Sequence, residues 1–217
     1  MAQSETLRDK MLDELKDLYH AEKQLIKALP KLAKAATHGD LRSAFETHLE
    51  ETQGHVSRLE EAFELLDEKV KAKPCAGMAG IIEEGADTIK ESDKGPVLDA
   101  CLVASAQRAE HYEMAAYGTV IAWAKVLGQD DLASLLEQTL DEEKATDEKL
   151  SALAESDVNQ QAAGGEESEA SEEEDEPELV GIGASRATRR QPAAIGRDAG
   201  SSRQGAKTQK IPGRGRR

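Results

Sequence analysis

The sequence predicts an all-α protein, an antiparallel four-helix bundle with a short extra crossover helix, followed by a charged tail without fixed structure. Three observations predict it. Ala, Leu, Glu and Lys dominate the first three quarters of the chain, Pro is almost absent there, and no stretch alternates Val, Ile or Thr with polar residues as a sheet requires. Apolar residues recur at steps of three and four through four long segments. With 33% charged and only 3% aromatic residues in 217, the core must be aliphatic.

The first helix is expected from about Ser4, a cap for Leu7, to about Thr37, with His38-Gly39 as the stop. Pro30 lies inside it. The apolar spacing continues through Leu32, so the proline predicts a kink rather than a break. Asp40 is expected to cap the second helix, whose stripe Leu41, Phe45, Leu59, Phe63, Leu66 persists to about Lys69. Residues 74–92, rich in small side chains, form a shorter crossover helix. Pro96 opens the next long helix, which runs through Trp123 and Lys125 to a stop at Gly128, and Asp130 caps the last, from Asp131 to about Ala154. Helices of 25 to 30 residues reach roughly 40 Å, which is bundle length. Short turns in the first and last pairs imply two antiparallel hairpins. A weak internal repeat agrees, since Leu41, Phe45 and Leu49 match Leu132, Leu136 and Leu140 in spacing.

The net charge of −15 is unevenly distributed. Residues 1–162 hold 33 acids and 18 bases, residues 163–180 hold 9 acids, and residues 181–217 hold 10 bases and 1 acid. The acidic block EESEASEEEDEPE and the Arg-rich run ending PGRGRR contain too few apolar side chains to offset ordering entropy. The domain boundary is therefore expected at 157, with 158–217 a disordered tail. MAQSETLRDK lacks the basic and apolar run of a signal peptide, and no segment approaches a membrane span, so a cytoplasmic location is expected. Cys75 and Cys101 lie 26 positions apart and read as reduced thiols.

Each long helix breaks its apolar stripe near its midpoint. The first reads Leu15, Leu18, Glu22, Leu25, Leu29, and the second passes His48, Thr52 and His55 with Glu51 on its flank. The third long helix reads Leu102, Ala106, Glu110, Glu113, Tyr117, Val120, and the fourth Leu136, Leu140, Glu143, Asp147, Leu150. A lone buried carboxylate costs several kcal/mol even after relaxation. Acids from four helices meeting in one layer need countercharge, and Lys23, Arg108 and Lys144 each point away from it. Two divalent or trivalent metal ions are the natural remedy, and oxygen-rich ligation with an imidazole suits iron or manganese, with zinc the alternative. Glu22, Glu51, Glu110 and Glu143 lead the candidate ligands, with His55, Glu113 and Asp147 completing them. His20, His38, His48 and His111 read as polar-face, loop or supporting histidines, and Tyr19, Tyr112 and Tyr117 as core aromatics.

YHAEKQLIKALPKLA, HLEETQGHVSRLE, AEHYEMAAYGTVIAWA and LEQTLDEEKATDEKL together resemble the YciE/YciF-type branch of the ferritin-like superfamily, over about residues 5–155. The resemblance implies a ferritin-like bundle, a carboxylate-bridged two-metal centre, homodimers and a link to stress responses, but no defined reaction. It makes Glu22 and Glu110 terminal carboxylates and Glu51 and Glu143 bridges. The superfamily pattern is Glu-x-x-His, whereas Glu51 to His55 and Glu143 to Asp147 are spaced four apart. Two functions follow as expectations: a di-iron or di-manganese protein with peroxide- or iron-linked redox activity, or a non-enzymatic dimeric stress-protective protein with a vestigial site. A third concerns the tail, where Arg186, Arg189, Arg190 and the bases after them could hold a nucleic-acid backbone.

Overall fold

The computed structural model describes residues 5–164, all helix and connecting turns without a strand among them. The long helices are α1 (Leu7–Ala35), α2 (Gly39–Leu65), α4 (Pro96–Val126) and α5 (Asp130–Leu153), and α3 (Ala76–Glu91) is the crossover helix. In cross-section α1 neighbours α2 and α4, α5 neighbours the same two, and α3 lies on α4 and α1. The α4 start meets the α1–α2 turn, because buried Asp99 accepts from the backbone N–H of Thr37 (2.8 Å) and of His38 (2.9 Å) and from the Thr37 hydroxyl. So α4 runs parallel to α2 and antiparallel to α1. The crossover climbs the side of α1, with Lys73 N–H donating to the Lys16 carbonyl and Cys75 N–H to His20 Nδ1.

Several helix ends differ from expectation by a few residues. Thr6 caps α1, in a reciprocal box with Asp9, while Ser4 lies outside the described residues. His38, rather than Asp40, caps α2 through its Nδ1, and Asp40 falls in the first turn. The second helix stops at Leu65, and Gln129 precedes α5 without a side-chain cap, leaving Asp130 in its first turn. Pro30 does not break α1. Gly128 adopts φ +70°, the left-handed geometry that stops α4. Cys75 and Cys101 are free thiols.

The last helix continues beyond its expected end, through a π-helical turn (Ala154–Val158) to residue 164. Residues 158–164 are thus helical where the tail was expected to begin. Val158 is the cause, since it is buried in the apolar cluster around Leu98 and Leu150, and His38 Nε2 pairs with Asp157 at 2.9 Å just before it. The acidic and basic blocks from 165 onward, including the Arg-rich nucleic-acid candidate, lie outside the described residues. No described helix is long and apolar enough to cross a membrane.

The core is divided. One apolar cluster gathers Leu25, Leu29, Leu41, Phe45, Leu102 and Leu150; the other gathers Met11, Leu15, Leu59, Phe63, Val120 and Leu136. Between them lies a layer in which every long helix contributes buried polar side chains.

Candidate metal centre

That layer is built by one or two turns of each helix. Glu22 comes from α1, His48, Thr52 and His55 from α2, Glu110 and Glu113 from α4, and Thr139 and Glu143 from α5, all buried. Steps of three and four keep these residues on the faces that carry leucine above and below, so burial of those leucines forces the acids inside. The residues converge on two adjoining groups. Ligand atoms of His48, Glu110, Glu113 and Glu143 lie within 4.8 Å of one another, as do those of Glu22, His55 and Glu143. Glu143 belongs to both.

Nearest approaches are His55 Nδ1 to Glu143 Oε1 (3.1 Å) and Glu22 Oε2 (3.6 Å), and His48 Nε2 to Glu110 Oε1 (3.2 Å). These contacts lack hydrogen-bond alignment. Eight buried side-chain atoms consequently have no hydrogen-bond partner: Glu22 Oε2, His48 Nε2, His55 Nδ1, Glu110 Oε2, and both carboxyl oxygens of Glu113 and Glu143. Native interiors rarely leave such groups unpaired, and eight on six residues at one depth form a donor set without an acceptor. Four carboxylates and two neutral imidazoles carry the charge that two divalent cations cancel, and the oxygen-rich set suits iron or manganese. The residues fit the metal pair that the ferritin-like resemblance implies.

Around this set the outward-facing atoms are well held. Tyr117 donates to Glu22 Oε1 (2.5 Å), leaving Oε2 free. Arg58 grips Glu142 with two bonds of 2.6 Å and also donates to Thr139, and Glu142 Oε2 lies 2.9 Å from His55 Nε2. Thr52 donates to the His48 carbonyl of its own helix. Burial pushes the carboxyls of Glu22, Glu113 and Glu143 up, Glu113 furthest because Glu22, Glu143 and Glu110 crowd it with like charge. Burial works against charge on His55 too, but Glu143 and Glu22 prevail and push it up to about 10. His48 is likewise raised against burial, by Glu110 and Glu51. Without metal, the layer is a proton trap. Burial also makes Tyr117 a weaker acid than usual, which keeps it a donor.

Of the residues expected from sequence, Glu22, His55, Glu110, Glu113 and Glu143 are brought together. Glu51 sits at the margin, with its side chain 38% exposed and Oε2 3.4 Å from His48 Nδ1. Asp147 lies on the outer side, accepting from Gln107 (3.1 Å) and 3.3 Å from His111 Nε2. His48, read from sequence as a supporting residue, stands inside the cluster. The repeat explains the exchange. The Leu41 to Leu132 offset of 91 positions carries Glu22 onto Glu113, Thr52 onto Glu143, and His55 onto Thr146. The Glu-x-x-His spacing is therefore present as two halves, Thr52 to His55 and Glu143 to Thr146, each keeping one ligand type. His48, one turn before Thr52, and Glu110, one turn before Glu113, fill the layer where the threonines bring no charge.

A bundle with two short-looped hairpins, a crossover helix and, at mid-height, buried carboxylates from α1, α4 and α5 facing imidazoles from α2 defines a ferritin-like protein. The chain belongs to the family described as Domain of unknown function (DUF892), which matches residues 6–163. It is 46% identical over 158 residues to Protein YciF of Escherichia coli strain K12, covering 72% of this chain and 95% of that protein. The crystal structure of the E. coli stress protein YciF matches with a TM-score of 0.69, covering 72% of this chain and 99% of that one. YcfI of Rhodopseudomonas palustris matches at 44% identity and TM-score 0.67, covering 70% and 97%. A protein of Xanthomonas campestris pv. campestris, 22% identical with a TM-score of 0.58 over 76% and 99%, shares the fold.

Proposed function

We propose that the bundle is a di-metal protein, holding two iron or manganese ions between Glu22, His55 and Glu143 on one side and His48, Glu110, Glu113 and the shared Glu143 on the other. The observation that carries this reading is the set of eight unpartnered buried atoms, all on these six residues. A stress-protective role is carried over from the E. coli relative, a stress protein. When bound, the metal pair supplies redox chemistry toward dioxygen or peroxide. The chain's own residues prepare the donors. Glu142, fixed by Arg58, accepts a hydrogen bond from His55 Nε2–H and so leaves the lone pair on Nδ1 facing inward. Tyr117 fixes Glu22, and the apolar clusters above and below keep bulk water from the layer.

Elemental analysis of protein purified without chelator tests the reading. About two transition metals per chain are expected, falling in Glu143→Ala and His48→Ala, with a higher melting temperature on added iron or manganese. Fewer than about one metal per two chains, with melting unchanged by added metal, refutes it. Assembly as a homodimer in the cytoplasm is part of the proposal, and equilibrium sedimentation of the full chain tests the dimer. Contact between the basic tail and nucleic acid is tested by truncation after residue 164, which should abolish salt-sensitive retention on DNA.

A further inference from the structure

Resting on the di-metal reading, we propose that metal ions reach the cluster between α2 and α5, with Glu51 as the receiving carboxylate and His48 as the relay into the core. A groove opens there, lined by Ala44, Glu51, Ala145, Thr146 and Lys149. Two of its five residues are alanines, which leave the helix–helix seam open where larger side chains would close it. At its inner end stands His48, buried to 3% exposure, with its two ring nitrogens on opposite sides of the seam. Nδ1 lies 3.4 Å from Glu51 Oε2 and 3.4 Å from Thr146 Oγ1, facing the groove. Nε2 lies 3.2 Å from Glu110 Oε1 and 3.8 Å from Glu143 Oε2, facing the cluster, and has no hydrogen-bond partner. One imidazole thus touches the solvent-side carboxylate and the buried donors. Glu51 supplies oxygen to a hydrated cation as it sheds water, and Thr146 adds a hydroxyl oxygen one step deeper.

A second groove reaches the same cluster from the opposite side, between α1, α3 and α4, and ends at Glu110. Its walls are Leu25, Leu29, Leu32, Ile81 and Ile82, closed by the approach of Gly85 to Ser105. A divalent ion would lose its hydration shell there against a single hydroxyl, that of Ser105, which already donates to the Cys101 carbonyl, and would meet no carboxylate until Glu110, so entry by this side is costly. That apolar side suits a small uncharged molecule and not a cation. Lys149 at the polar mouth opposes cation arrival, so its removal provides a change of opposite sign.

Stopped-flow mixing of the metal-free full-length protein with cobalt(II) chloride, followed by the visible absorption of bound cobalt, reads uptake directly, and equilibrium titration reads capacity. Glu51→Gln should slow uptake roughly three- to tenfold, the effect of removing one charge about 5–8 Å from a divalent ion in a watery mouth once salt screening is included, with capacity unchanged. Lys149→Gln should quicken it by a similar factor, and Ala109→Leu, a change at a residue that lines the apolar groove beside Glu110 and narrows it, should leave it unchanged. An unaltered rate in Glu51→Gln, or slowing by Ala109→Leu alone, overturns the route while leaving the metal centre standing. Reduced capacity in Glu51→Gln also overturns it, by making Glu51 a ligand of the bound ion. If the wild type takes up no cobalt at equilibrium, the di-metal reading fails and the route with it.

Discussion

Replacing Glu113 by leucine should stabilise the metal-free protein and destabilise the metal-loaded one. Both Glu113 carboxyl oxygens are buried without a partner, and the side chain has no exposed surface. Leaving such oxygens unsatisfied costs about 1–3 kcal/mol each. Leucine is close in size, and its branched end fits a glutamate-shaped space imperfectly, which costs about 1 kcal/mol. The net gain is about 2 kcal/mol, within the range found when buried ionic groups give way to apolar ones. For a bundle of this size that raises the melting temperature by about 4–8 °C. With saturating manganese the order reverses, because wild type gains about 2.7 kcal/mol per site at a hundredfold excess over Kd and the variant has lost a ligand. Thermal melts followed by circular dichroism, with chelator and then with manganese, read both arms. A metal-free variant that melts at or below wild type would refute the claim that this layer is stabilised by what it binds.

Three further outcomes follow from the same geometry. Metal-free wild type should melt lower at pH 8 than at pH 5.5: carboxyls raised above 4.5 stabilise the fold while protonated, and His55 does so below 6.5 and loses it through about 10. Bound metal displaces those protons, so the loaded protein should show the opposite slope, and parallel melts with and without manganese decide it. Arg58→Ala frees Glu142 and loosens His55, and calorimetric titration should show manganese affinity reduced about tenfold or more, whereas an unchanged Kd would separate Arg58 from the site. Asp99→Ala removes the acceptor of three bonds that tie the α1–α2 turn to α4, and should lower the urea midpoint by an amount worth about 3 kcal/mol with m unchanged.

The four long helices were legible because each carries five or more apolar residues at one spacing, and the midpoint acids stood out against them. Helix ends were less so. Ser4 and Thr6, or His38 and Asp40, offer equivalent capping oxygens or nitrogens, and the choice depends on where the neighbouring turn packs rather than on the residue itself. Val158 looked like the start of a polar tail and is instead the last apolar side chain of the core. In the site, Glu22, Glu110 and Glu143 followed from the stripe alone. His48 lies on that stripe too, whereas the four-residue pairing of Glu51 with His55 points to a carboxylate one position off the inward face. The signal that distinguishes them is the 91-residue offset, which registers Thr52, not Glu51, with Glu143. Glu142 gave no sequence signal, since its partner Arg58 lies on another helix.

The divided core also bears on how the chain avoids folding incorrectly. Two similar hairpins of leucine-rich helices could pair in several alignments of nearly equal burial, each displaced by one helical turn of about 5.4 Å. A mid-height polar layer removes that freedom, because any slip drives Glu110 and Glu113 against leucine and leaves Glu22 and Glu143 facing aliphatic neighbours. A single buried polar residue sets alignment in coiled coils in the same way. Here the layer acts as a vernier between two apolar halves, favouring one alignment of four helices whether or not an ion is bound.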